Sequence, residues 1–184
     1  MDEKITASSR EIEYIRFLEE NGCKNQTLLT MTNWLAINGF FNAPASTKYH
    51  GAYEGGLFDH SLFVARSLVD LTESLHFLWQ RKESPLIVGL FHDLCKSDQY
   101  LPKADGTFEF RKDNLFNGHG DKSIFLLSTQ MQLTEEEVAC IRYHMGAFSD
   151  DPNERSAYSR AVRIYPQVLY THTADMIASQ VLGV

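Results

Sequence analysis

The stretch Ser84-Pro85-Leu86-Ile87-Val88-Gly89-Leu90-Phe91-His92-Asp93-Leu94-Cys95-Lys96 decides how the chain folds and where its chemistry sits. Ser followed by Pro is a helix start, with Ser as N-cap and Pro at the first helical position, where its missing N–H is no loss. The residues that follow are apolar on every face, which predicts a central, buried helix. That helix ends in His92-Asp93. A carboxylate carried into an apolar core is costly unless a cation compensates it. The conflict between Phe91 and Asp93 therefore points to function.

The segments on either side are helical. Leu57, His60, Val64, Leu68, Leu71 and Leu75 step by three or four along residues 57–78, so His60 shares the apolar stripe and faces inward. Pro44, Gly51, Gly55 and Gly56 predict a loop leading into that helix. Two scaffold helices come earlier. The first is capped by Ser8 or Ser9, carries Ile12, Ile15 and Leu18, and stops at Asn21-Gly22. The second covers Thr27 to Asn38, packs through Trp34 and Leu35, and ends at Gly39.

Downstream, Asp105-Gly106 between short flanks with Thr107, Phe108 and Phe110 predicts a small β-hairpin inserted near residues 100–114. Helices resume with Asp121 as cap and Ile124, Leu127 and Met131 as the stripe, which puts His119 just before a helix start. Thr134 and Glu137 form a capping box opening a helix that carries Val138, Ile141 and His144. Pro166 opens the last helix, where Val168, His172, Asp175 and Leu182 share one face. The expected fold is an all-α bundle with a β-hairpin insertion. Residues 1–48 read as an N-terminal helical extension packed on the core, and residues 49–184 as the main domain.

Among 184 residues, 24 acidic against 17 basic side chains give a net charge of -7, which disfavours broad nucleic-acid binding. The first ten residues lack the apolar run of a signal peptide, and the longest uncharged apolar run, residues 85–91, is far too short to span a bilayer. A cytoplasmic protein without membrane association is expected. Cys23, Cys95 and Cys140 are widely spaced and suggest reduced thiols rather than a disulfide framework or a zinc ribbon.

Taken in order, the inward polar residues are His60, His92-Asp93, His119, His144 and Asp175. Four imidazoles and two carboxylates suit one or two divalent ions, Mn, Fe, Ni, Zn or Mg. The sequences around them are GGLFDHS (55–61), GLFHDLCK (89–96), NGHGDKS (117–123), IRYHMG (141–146) and THTADMIAS (171–179). This ordered set resembles the HD phosphohydrolase superfamily, whose pattern is H…HD…H…H…D on a helical bundle, over residues 49–182. It resembles in particular the HD half of bacterial 3′-to-5′ exoribonuclease-like HD proteins, in which a His-containing loop, here Tyr49-His50, precedes Gly-Gly-Leu. Their separate barrel domain has no counterpart in residues 1–48.

The resemblance implies that His60, His92, Asp93 and Asp175 hold a first metal and that Asp93 bridges to a second held by His119 and His144. It makes Lys96, Asp93 and His119 the catalytic candidates. Lys96 would neutralise a phosphate oxygen, and His119 or His144 would protonate the leaving oxygen when a single ion is bound. Cys95 stands where the pattern has Gly, a change expected to touch only helix packing. His172 and His50 are candidates for outer positions around the metals, His172 equally for a core role, and His76 reads as surface.

The expected activity is metal-dependent hydrolysis of a phosphomonoester or phosphodiester in a nucleotide or other small phosphorylated substrate. The alternatives are a single-strand nuclease, which needs a basic groove with aromatic platforms, and a non-catalytic metal-binding regulatory module, which predicts a damaged motif. Metal-dependent oxygenation is a further alternative, against which Lys96 counts.

Overall fold

The computed structural model describes residues 7–113, 119–147 and 151–184. Asn114, at the end of the expected hairpin stretch, and Asn117-Gly118, at the head of the third motif, lie outside the described residues. So do the first six residues of the polar N-terminal stretch.

Two helices form the centre, α4 (Gly56–Leu75) and α5 (Ser84–Phe91). All eight residues of α5 are buried, as its uniformly apolar sequence requires. They pack backbone to backbone: a Cβ on Gly89 would stand 2.3 Å from the Cα of Ala65. Only a residue without a side chain fits there. The helix starts at Ser84 itself, with Glu83 in the cap position, and the Ser84 hydroxyl instead donates to Glu137 Oε1 at 2.8 Å. After Phe91 the chain tightens into a 3₁₀ turn, Leu94–Asp98.

Ahead of α4, α1 (Ala7–Glu20) begins early enough to place Ser8 and Ser9 inside its first turn rather than at its cap. Gly22 (φ 61°) closes it, with the Cys23 N–H bonded to Leu18 O. The expected second helix is two short ones, α2 (Gln26–Thr30), capped by the Asn25 carboxamide, and α3 (Thr32–Ile37), broken at Met31. Tyr14, Phe40, Phe41, Phe58 and Phe91 bring their rings together between this region and the central pair. Arg10 grips Asp59 with two nitrogens, at 2.9 and 3.0 Å, next to His60 in the chain.

Helix α4 ends at Leu75, short of the expected Leu78, because His76 adopts a left-handed conformation (φ 54°) and is exposed. The hairpin is present as β1 (Tyr100–Pro102) paired antiparallel with β2 (Phe108–Phe110), Tyr100 opposite Phe110.

The remaining helices are α6 (His119–Ser128), α7 (Glu135–Arg142), α8 (Pro152–Ile164) and α9 (Gln167–Met176). The Thr134/Glu137 capping box forms, and Glu137 also receives Arg81 at 2.6 Å. His119 is the first residue of α6, so Asp121 lies in its first turn and accepts from Arg142 instead of capping. α8 is absent from the sequence expectations; Ala161 is its one buried residue, with Tyr158 and Val162 packed partly buried against the core on the same face. Past Met176 the chain loosens into a π turn, Ile177–Leu182, which rotates Leu182 off the shared face and leaves it exposed. Among the described residues no helix is long and apolar enough to cross a membrane.

Candidate metal centre

The site forms where the end of α5 meets α4, α9 and the segment after α7. His60, His92 and His144 have no exposed surface, and Asp93 and Asp175 are buried. Each of the three imidazoles is oriented by a backbone carbonyl. His92 Nδ1 lies 2.9 Å from Gly89 O, one turn back on its own helix. His144, two residues past α7, reaches back to Ile141 O at 2.7 Å, and His60 Nδ1 is 2.9 Å from Val184 O.

A carbonyl only accepts, so each Nδ1 carries a proton, and in the neutral imidazole Nε2 then presents a lone pair to the site. Those lone pairs face other acceptors. His60 Nε2 is 3.2 Å from His92 Nε2 and 3.2 Å from Asp175 Oδ1, while Asp93 Oδ2 stands 3.5 Å from His92 Nε2. On the far side His144 Nε2 is 3.4 Å from Asp93 Oδ1 without hydrogen-bond geometry, and both atoms are buried without a partner. Convergent acceptors at such spacings are repulsive unless cations lie among them. Ligands bound at about 2.0–2.2 Å to one ion sit roughly 3.0–3.6 Å apart, so the donor set fits a divalent metal. Sets His60/His92/Asp93 and His92/His144/Asp175 each bring their ligand atoms within 4.8 Å of one another.

Lys96 adds an ammonium at the mouth, its Nζ 2.6 Å from Asp93 Oδ2. The mouth is a cleft of about 130 Å3 lined by His50, Asp93, Lys96, His119, Asp175 and, on its rim, Met145, Met176, Ser179 and Gln180. The pKa directions suit metal binding. Burial pushes His92 down to about 4 and also lowers His119 and His50. For Asp93, burial would raise the carboxyl, but Lys96 and the flanking imidazoles hold it well below the usual range. Asp175 is likewise lowered: burial would raise it, but His60 together with the His92 and His144 imidazoles outweighs that. His144 is the exception: burial pulls it down, yet Asp93 beside it moves it up. Lys96 is raised, Asp93 outweighing its burial.

His119 is set somewhat apart, half-buried at the mouth, with Nδ1 3.5 Å from Cys95 Sγ. Asp93, Cys95 and His119 make a third set of converging ligand atoms. The structure thus brings Cys95 into the site, which the sequence reading treated as packing. Its only signal was a metal-binding residue type two positions after Asp93. His50 stacks its ring 5.1 Å from that of His60, with a buried Nε2 lacking a partner. His172 Nδ1 lies 2.8 Å from the carbonyl of His144 and so meets the backbone of a site residue.

The chain is similar to the dihydroneopterin 2′,3′-cyclic phosphate phosphodiesterase of Methanocaldococcus jannaschii, 34% identical over 70 residues. That match covers 36% of this chain and 28% of the archaeal protein's length. No family model matches the chain, and no solved structure does.

Proposed function

We propose that the chain is a metal-dependent phosphohydrolase of the HD type, a phosphomonoesterase or phosphodiesterase acting on a nucleotide or other small phosphorylated substrate, with residues 49–184 as its catalytic unit. One observation carries the reading: His60 and His92 turn their Nε2 atoms toward each other at 3.2 Å, with the Asp93 and Asp175 carboxylates beside them. These four residues would hold a first ion, and Asp93 Oδ1 with His144 and His119 a second. Bound divalent ions supply positive charge for phosphoryl oxygens and acidify a coordinated water.

The chain's own groups do the rest. Lys96, anchored on Asp93, sets a fixed ammonium at the mouth where a phosphoryl oxygen gains charge. His119, half-buried at the same mouth, is placed to give a proton to the leaving oxygen when a single ion is bound. Met145 and Met176 offer an apolar, adaptable rim for the organic part of the ester. A small phosphate ester suits a cleft of about 130 Å3 better than a polynucleotide does, and Lys96 is the only ammonium among its lining residues. The archaeal relative's cyclic phosphodiester substrate supports the same class.

The test is metal content of protein purified without added metal, then phosphate release from a Mn-supplemented panel of nucleotides, 2′,3′-cyclic phosphates and simple phosphate esters. Wild type should hold one or two ions and turn over part of the panel, and folded Asp93→Ala should do neither. Unchanged turnover in Asp93→Ala would refute the proposal.

A further inference from the structure

Cys95 has no exposed surface and is fixed in place: its N–H donates to Ser123 Oγ at 3.0 Å, on the helix that carries His119. Its sulfur lies 3.5 Å from His119 Nδ1, and both converge with an Asp93 oxygen within 4.8 Å. For an ion bonded to sulfur at about 2.3 Å and to nitrogen at about 2.0 Å with a tetrahedral angle, the S···N edge is roughly 3.5 Å. The observed separation matches that edge. Asp93 adds the independent sign of a missing cation, being buried with an oxygen that has no partner.

His119 also differs from its neighbours. The Nδ1 atoms of His60, His92 and His144 are all occupied by carbonyls, which leaves only Nε2 for a metal. The Nδ1 of His119 faces a thiol, itself a ligand type.

We propose that Cys95 is a metal ligand, giving the second ion, the one shared by Asp93 and His119, a thiolate and hence a preference for softer metals such as Zn or Co over Mg. On binding, the S–H bond breaks, the sulfur keeps the electron pair and donates it to the ion, and the proton leaves to solvent. This rests on the proposed metal-dependent reading of the site.

The test is cobalt(II) titration of the full chain, followed by absorption spectroscopy. Wild type at saturation should show visible d–d bands together with a near-ultraviolet sulfur-to-cobalt charge-transfer band. Cys95→Ser should lose the charge-transfer band and keep visible bands, while Cys23→Ser and Cys140→Ser keep both. Visible bands without charge transfer in wild type, or charge transfer surviving in Cys95→Ser, would overturn the thiolate ligand while leaving the metal site standing. No cobalt bands at all would overturn both. X-ray absorption on zinc-loaded wild type needs no variant. A sulfur shell at about 2.3 Å supports the proposal. A shell of nitrogen and oxygen alone overturns it and makes Cys95 a hydrogen-bond partner of His119.

Discussion

Lys96 Nζ rests 2.6 Å from Asp93 Oδ2, on the carboxylate whose other oxygen faces His144 Nε2 at 3.4 Å. The lysine neutralises Asp93 from one side and leaves the rest of its ligand capacity directed into the site. Without bound metal, Lys96 is the only lysine or arginine in direct contact with Asp93 among the described residues, so removing it leaves a buried carboxylate with imidazoles alone. Lys96→Met should destabilise chelator-treated protein by about 3 kcal/mol, the usual penalty for breaking a buried pair. With saturating Mn the loss should shrink, because the ion takes over part of the neutralisation. Urea midpoints with and without chelator measure both. Phosphate-ester turnover should fall roughly 10²- to 10³-fold in the same variant, as for loss of one preorganised charge donor.

Gly89 sets the spacing of the site. With the Cα of Ala65 2.3 Å from where a Cβ would stand, and Ala65 N at 2.7 Å, Gly89→Ala must push α4 and α5 apart. His60 rides on one of these helices and His92 caps the other. The expected outcome is a stability loss of about 1–3 kcal/mol, typical of overpacking, together with weaker metal binding by calorimetry. Gly106→Ala is the control: nothing lies within 4 Å of its Cβ position, and only its φ of +80° is strained. It should leave metal affinity unchanged.

How far the fold could be read from sequence follows from how strongly each segment's pattern is forced. α5 was legible because eight consecutive buried positions tolerate no other reading, and the capping box because Thr134 and Glu137 satisfy each other locally. The single helix expected over Thr27 to Asn38 broke at Met31, which tertiary packing decides and no breaker residue announces. α8 went unread although Tyr158, Ala161 and Val162 recur at helical spacing and face the core, a short stripe set among charged residues. Among the site residues, His60, His92 and Asp93 sit on or directly after apolar stripes. His144 does not follow its helix: it lies beyond α7 and enters the site by bending back to Ile141 O. Cys95, read as a packing residue, comes to lie beside His119 for a related reason. The 3₁₀ turn after Asp93 aims its side chain in a direction that the period of an α-helix does not give.

Glu137 is the structural counterpart of Asp93, a buried carboxylate whose partners are all supplied by the protein. Arg81, the Ser84 hydroxyl and the Thr134 N–H all donate to it, tying α7 to the start of α5. Glu137→Ala removes the reciprocal cap and orphans the other donors. A loss of about 3–5 kcal/mol is expected, read as a drop in Tm, and added metal should restore little of it because the site lies at the other end of α5.

The pH response of the metal-free protein should be dominated by His92. Its pKa falls from 6.5 to about 4 on folding, so between those values the unfolded chain binds a proton that the folded chain refuses. Stability must therefore fall as pH drops from about 6.5 to about 4, by roughly 3 kcal/mol from this group. His144 works in the opposite direction. Its raised pKa gives a contribution that is full below 6.5 and lost as pH rises through the folded value. Asp93 and Asp175, both lowered, contribute stability that disappears only below about pH 3.8. Urea midpoints in chelator across this range, for wild type and His92→Asn, separate the terms: the acid-side slope should flatten in the variant. An equally steep slope in His92→Asn would assign the loss to another group.

Metal should stabilise the fold by mass action, because its proposed ligands come from α4, the end of α5, α9 and the segment after α7, and their convergence exists only in the folded chain. Free metal at one hundred times its Kd should raise stability by about 2.7 kcal/mol, and chelation should reverse the gain. The same linkage predicts proton release on binding at pH 6, since His144 is raised and must lose its proton before its Nε2 can bind an ion. Calorimetry in two buffers of different ionisation enthalpy counts those protons. A rise in Tm with metal, absent in Asp93→Ala and accompanied by proton release that declines toward pH 8, is the expected result. A metal-induced rise that survives in Asp93→Ala would place the stabilising ion elsewhere on the chain.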